Sequence, residues 1–197
     1  MFHAGDVIEN RVTGERIRFR QTAAETAGEL SVVETWVTPG GFVATTHVHP
    51  SQDEHFSILE GSVGFRVGGQ TLELKAGQSV TVPAGTSHRF WNAGEREAHF
   101  VAEVTPALHF EELLATMFSL ANEGKTNRKG MPNPFRLAVI AKAYFDTVRL
   151  PFPPTWVQRI GLAIAAPLGR MLGYSASPTP ARSPELVSRP QPVSDIK

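Results

Sequence analysis

Short runs of alternating apolar and polar residues fill the first half of the chain, a pattern that predicts β-strands rather than helices. Residues 7–19 alternate loosely and predict a short hairpin, and residues 30–37 predict a longer strand. Residues 62–67 and 70–74 flank Gly68-Gly69, a strong signal for a two-residue hairpin turn. We therefore expect this half of the chain to form antiparallel β structure.

After Pro106 the apolar positions recur every three or four residues, which predicts helices. Residues 110–121 carry the first such stripe. Asn133-Pro134 predicts the N-cap and first residue of a second helix, which the run Pro-Phe-Pro-Pro at residues 151–154 ends.

A third helix is predicted from Thr155 or Trp156 towards Tyr174, with a kink near Pro167. From Ser175 onward Pro, Ser and Arg dominate, and this composition predicts a tail that is disordered or merely draped over the surface.

Composition narrows the function classes. The chain has 197 residues, of which 41% are hydrophobic, and its 19 basic and 19 acidic residues cancel, which argues against a nucleic-acid partner. The absence of cysteine excludes disulfides, thiolate metal sites and thiol nucleophiles.

The first residues do not resemble a signal peptide, so a cytoplasmic location is expected. The longest apolar run, residues 160–168, is far shorter than the ~20 residues that span a bilayer, so we rank membrane association low.

Histidines supply the candidate chemistry. His47 and His49 share one face of a strand, because residues i and i+2 point the same way. The turn-forming run at residues 50–53 brings Glu54 back on a neighbouring strand, and His88 begins another strand after a Pro-Ala-Gly turn. A single histidine is more often an ordinary strand residue, but this combination favours a site at which three imidazoles and one carboxylate converge.

Such a set of nitrogen and oxygen donors suits one divalent transition metal, namely Fe, Mn, Ni, Co, Cu or Zn, and argues against iron–sulfur clusters. Four protein ligands leave about two positions of an octahedron for water, substrate or dioxygen. The sequence leaves the identity of the metal open.

The two histidine-bearing stretches resemble the paired signature motifs of the cupin superfamily. The first motif reads Gly41, five residues, His47-x-His49, four residues, Glu54, six residues, Gly61; the second reads Gly77, five residues, Pro83-x-Gly85, two residues, His88, three residues, Asn92. The resemblance implies a mainly β fold, a cupin-type jelly-roll β-barrel, with a metal carried by His47, His49, Glu54 and His88. We expect the barrel in residues 1–106, about three C-terminal α-helices in residues 107–174, and a Pro/Ser-rich tail in residues 175–197.

Strand parity predicts the surroundings of the metal. If the histidines face inward, the residues that share their face form an apolar, aromatic pocket, made of Val43, Thr45, Phe56, Ile58, Phe65, Val67 and Phe90. No inward Arg or Lys and no second acid or base are predicted there, which disfavours phosphorylated sugars and dicarboxylates as ligands. The helices could cap the barrel mouth, pack on its outside or exchange between subunits.

Parity turns Trp36, Phe42, His55 and Trp91 outward. Exposed aromatic side chains on the outer sheet faces favour a homodimer.

Three functions fit these features. The first is a dioxygenase-type oxidoreductase acting on a small apolar or aromatic molecule, with Glu54 as a catalytic base. The second is an isomerase or cyclase in which the metal acts as a Lewis acid. The third is a non-catalytic cupin that binds a small molecule. A fold hosts many activities, so the resemblance does not choose among them.

Overall fold

The computed structural model describes residues 2–177, and within them the chain forms ten strands followed by three helices. The strands are β1 (Val7–Asn10), β2 (Glu15–Gln21), β3 (Ser31–Val37), β4 (His47–Val48), β5 (Asp53–Glu60), β6 (Ser62–Val67), β7 (Gln70–Lys75), β8 (Ser79–Val82), β9 (Ser87–Asn92) and β10 (Ala98–Thr105). The helices are α1 (Phe110–Asn122), α2 (Pro134–Ala143) and α3 (Thr155–Met171).

The strands pair antiparallel in two sheets, in the orders β1-β2-β3-β10-β5-β8 and β4-β9-β6-β7. The predicted mainly β fold class, with C-terminal helices, is confirmed. The sheets face each other across a layer of phenylalanine rings; centroids of Phe56 and Phe65 lie 5.1 Å apart, and those of Phe90 and Phe100 lie 5.2 Å apart. These rings point inward because they occupy alternate positions of their strands.

The two tryptophans assigned outward lie on the outer sheet faces and have partners within the chain. Trp36 stacks on His99, with ring centroids 4.6 Å apart, and the Arg16 guanidinium lies 4.5 Å from its ring centroid. Trp91 covers Gly64 so closely that a Cβ there would lie 2.3 Å from the indole. The homodimer stays a prediction.

The helices begin where the sequence predicts. The Asn133 side chain accepts a hydrogen bond from the Phe135 N–H at 2.9 Å, and Pro134 is the first helical residue of α2. α3 continues through Pro167 to Met171 and approaches α2 closely at Gly169, where a Cβ would lie 2.5 Å from the Phe135 carbonyl oxygen. No helix within residues 2–177 is long and apolar enough to cross a membrane.

The segment between α2 and α3 pairs with the barrel. The Val48 N–H donates to the Arg149 carbonyl at 2.9 Å, and the Arg149 N–H donates back at 3.0 Å. Phe110 and Phe118 of α1 belong to the same apolar core as the barrel strands. The predicted domain boundaries stay a prediction, and residues 178–197 of the predicted tail lie outside the described residues.

Candidate metal centre

Neighbouring strands bring the four predicted ligands together. His47 on β4 lies directly opposite His88 on β9, His49 follows β4, and Glu54 is the second residue of β5. One ligand atom from each of the four lies within 4.8 Å of the others, and Glu54, His49 and His88 are buried.

Backbone carbonyls orient the imidazoles. The Nδ1 atoms lie at hydrogen-bond distance from carbonyl oxygens: His47 from Thr45 at 2.9 Å, His49 from Thr147 at 2.6 Å, and His88 from Thr86 at 3.1 Å. Because a carbonyl oxygen only accepts, each Nδ1 carries a proton and donates it. Each ring therefore turns its Nε2 atom towards the cluster, the arrangement that metal-binding histidines adopt.

The Glu54 and His88 side chains show that these donors fit a cation. The Oε2 atom of Glu54 lies 2.6 Å from the Nε2 atom of His88, yet neither buried atom has a hydrogen bond of acceptable geometry among the described residues. Two electron-rich atoms this close need a positive centre, either a proton or a metal ion, to stabilise them. Three imidazole nitrogens and a carboxylate fit a divalent transition metal.

The protonation states favour metal binding. Burial alone would raise the pKa of Glu54, but the positive charge on His49 and the close contact with His88 and its charge outweigh it and lower that pKa to about 2. Burial, reinforced by charge on His88 and His49, lowers the pKa of His47 to about 3. Burial also disfavours charged His88, but the Glu54 carboxylate outweighs this effect and raises the pKa of His88. Glu54 is therefore ionised and His47 neutral at neutral pH.

Gln52 adds a second support for His49. Its Oε1 atom accepts from Nδ1 of His49 at 2.9 Å, while its Nε2 group donates to the carbonyl oxygens of Pro106 and Ala107, each at 2.9 Å. The two carbonyl acceptors fix which end of the amide faces His49. Thr147, from the segment after α2, is the other partner of His49, so the helical extension contributes directly to the centre.

A cavity of about 570 Å³ includes all four residues in its wall. Of the predicted pocket residues, Val43, Thr45, Phe56 and Phe90 line it. Ile58 and Phe65 lie in the core, Val67 packs against it, and the cavity lining includes none of the three, so their part in the pocket stays a prediction. Strand parity gives the face of a residue but not its depth, and below the phenylalanine layer side chains fill the space between the sheets.

The three helices cover this cavity. α1 contributes Leu113, Leu114 and Met117 to the lining, α2 contributes Leu137, and α3 contributes Val157 and Leu162. Of the three arrangements left open by the sequence, the chain therefore adopts the one in which the helices cap its own barrel.

Two charged residues in the lining were missed. Arg149, on the segment that pairs with β4, corrects the prediction that no Arg or Lys faces the cavity; its guanidinium lies 5.6 Å from the Phe145 ring centroid. Glu15 on β2 lines the cavity and is only 5% exposed, which corrects the prediction of no second acid. Glu15 alternates with Ile17 and Phe19 along β2, and this pattern could have predicted from the sequence that Glu15 faces inward.

His55 lies outside the cluster and contacts the Thr81 hydroxyl at 2.9 Å.

Comparisons with known proteins agree with this fold. A family model described as "Cupin domain" matches residues 34–104. The tetracenomycin polyketide synthase protein TcmJ of Streptomyces glaucescens is 31% identical over 55% of this chain and 64% of its own length. Protein SchB of Streptomyces halstedii is 31% identical over 51% of this chain and 73% of its own length. Two antiparallel sheets around a His/Glu cluster define the class, and the chain belongs to the cupin superfamily.

Two further relatives extend the comparison. A protein named "Probable oxidoreductase virH", from Hypocrea virens, is 28% identical over 66% of this chain and 64% of its own length. The crystal structure of an RmlC-like cupin from Shewanella frigidimarina is 22% identical, with a TM-score of 0.47 over 56% of this chain and 93% of that structure. The chain spans slightly less than two thirds of the TcmJ and virH proteins.

Proposed function

We propose that this chain is a metal-dependent enzyme acting on an aromatic or polyketide-like molecule, with His47, His49, Glu54 and His88 as ligands of one divalent metal. The observation that carries the proposal is the apolar cavity of about 570 Å³ with this cluster in its wall. That volume lies within the usual range of small-molecule sites, about 300–1,000 Å³. The polyketide synthase name of TcmJ supports this substrate class.

Cyclisation or isomerisation is the reaction that the site supports best. When bound, the metal supplies a Lewis acid that polarises a substrate carbonyl. The apolar walls of the barrel and helices bind the carbon skeleton and exclude water. Glu54 is the proposed base, since a carboxylate can keep one oxygen in the cluster and accept a substrate proton on the other.

A dioxygenase-type reaction is the second candidate, supported by the name of virH, a probable oxidoreductase. Both reactions use the same ligands and the same cavity. They differ in their need for oxygen and in the composition of the product.

In the decisive experiment, the Zn-, Ni-, Mn- and Fe-loaded forms of the protein are prepared anaerobically. Each form is then incubated with a panel of hydroxylated aromatic and poly-β-ketone compounds. A cyclase yields an isomer, or a product lighter by one water, without oxygen consumption and with a redox-inert metal such as Zn. A dioxygenase consumes oxygen in step with a product that has gained oxygen atoms, and only in the Fe or Mn form. The His47→Ala/His88→Ala variant is the control for turnover by free metal. Tight binding of a ligand that is recovered unchanged would support the non-catalytic alternative, and absence of both binding and turnover would refute the proposal.

A further inference from the structure

Glu15 is a buried carboxyl group with one unused oxygen. Its Oε2 atom accepts a hydrogen bond from the Thr13 hydroxyl at 2.6 Å, and its Oε1 atom has no hydrogen-bond partner among the described residues. The residue is 5% exposed and contributes to the wall of the same cavity as the metal ligands. Because Oε1 is not a fully buried atom, it keeps some accessible surface, and an accessible carboxyl oxygen without a protein partner is free to form a hydrogen bond with a ligand atom.

The strand register places Glu15 far from the metal centre. Glu54 lies opposite Val104 of β10, whereas Glu15 lies opposite Val37, which in turn lies opposite Ala98 of β10. Ala98 and Val104 are six residues apart on β10, which corresponds to about 20 Å along an extended strand. The two carboxyl groups therefore occupy opposite ends of one sheet, and a ligand that reaches both is elongated.

The local environment keeps Glu15 protonated in weakly acidic solution. Burial raises the pKa of its carboxyl to about 7, and the Thr13 hydroxyl opposes this shift only in part. The other titratable or charged groups around the cavity are His47, His49, Glu54, His88 and Arg149, and those in the groove beside the same end of β2 are Glu9, Arg11, Arg16 and Glu97. In its neutral form Glu15 is a hydrogen-bond donor, which a carboxylate cannot be.

We propose that Glu15 forms a second polar subsite, in which its protonated carboxyl group donates a hydrogen bond to a carbonyl oxygen at the end of the substrate remote from the metal ligands. This subsite rests on the proposed function, because it requires a substrate that fills the cavity. It narrows the substrate class to elongated aromatic or polyketide-like molecules with oxygen atoms near both ends.

A matched pair of probes tests the subsite. Acetylanthracene carries a carbonyl oxygen that only accepts, and ethylanthracene has nearly the same shape without that oxygen. Binding of both to the full-length chain, in Zn-loaded and metal-free forms, is followed by tryptophan fluorescence from pH 5.5 to 8.5. The variants are Glu15→Leu, Glu15→Gln and the control Thr35→Val, which removes another buried hydroxyl from the same cavity wall.

We expect the wild type to prefer acetylanthracene by about tenfold below pH 7, because it gains one hydrogen bond. That preference should disappear above pH 7 as Glu15 ionises. Glu15→Gln should keep the preference at every pH, since its amide donates without titrating, and Thr35→Val should behave as the wild type does. Glu15→Leu should bind both probes equally, and thermal unfolding checks its fold.

A preference that persists in Glu15→Leu, or a wild-type preference with no pH dependence, would overturn the subsite while leaving the proposed function intact. Failure of both probes to bind any form of the protein would overturn the subsite together with the proposed substrate class. If Glu15→Leu does not fold, the comparison of wild type with Glu15→Gln decides the question, because the two differ in titration and not in shape.

Discussion

Replacing Gln52 by alanine should weaken both the barrel and its metal centre. The side chain is 1% exposed and makes three hydrogen bonds, one with His49 and two with the carbonyl oxygens of Pro106 and Ala107. The Gln52→Ala variant leaves the part-buried Pro106 carbonyl without a donor, whereas the Ala107 carbonyl still accepts from the Phe110 N–H at 3.1 Å. An unpaired carbonyl costs about 1–3 kcal/mol and a lost hydrogen bond about 1 kcal/mol, so the free energy of unfolding should fall by about 3 kcal/mol. In a protein of this size that corresponds to a loss of roughly 10 °C in Tm.

Metal affinity should fall less steeply than stability. Loss of a group that orients a ligand typically reduces metal affinity by about 10- to 100-fold. Because the Thr147 carbonyl still accepts from Nδ1 of His49, we expect a loss near the lower limit, about tenfold.

The assays are thermal unfolding followed by circular dichroism and Zn titration against a chelator of known affinity. Gln78→Ala is the matched control, since that glutamine is exposed and its side chain only accepts from the Lys75 N–H. It should change Tm by no more than about 2 °C, because surface substitutions usually stay within about 0.5 kcal/mol. If Gln52→Ala matched Gln78→Ala in both Tm and Zn affinity, the described role of Gln52 would be wrong.

Three further predictions follow from the site and the surface. The His47→Ala/His88→Ala variant should lose its metal, as measured by elemental analysis, while circular dichroism shows an intact barrel; stoichiometric metal would rule out the ligand assignment. In the metal-free protein, His47 takes up a proton near pH 6.5 when unfolded but only near pH 3 when folded, so the free energy of unfolding falls as the pH falls across that window. Urea unfolding of His47→Gln should show a smaller fall in the free energy of unfolding over the same pH range. An equal pH dependence in wild type and variant would contradict this. The homodimer should appear in light scattering at micromolar concentration and weaken in Ile160→Glu, since Ile160 and Trp156 of α3 are 55% and 68% exposed; a monomeric wild type would contradict it.

Local periodicity and turn chemistry were sufficient for most of the elements. The helix start at Asn133 and Pro134 was readable from sequence because an N-cap and a proline act within one turn of chain. The approach of His47, His49 and Glu54 was also predictable, since parity and a tight turn set their directions with few residues between them. His88 came from the spacing of the second motif.

The depth of side chains in the barrel and the position of the helices depend on contacts between residues distant in the sequence, so only the tertiary structure shows them. Only the tertiary structure shows that Ile58 and Phe65 lie in the core away from the cavity, because depth depends on how the two sheets close on each other. The apolar stripes predicted that each helix has an apolar face, but they did not predict which surface that face packs against. The sequence therefore could not predict that the helices cover the cavity or that the Thr147 carbonyl contacts His49. Sequence alternation places Glu15 on an inward face, but its raised pKa comes from burial, which residues distant in the sequence provide.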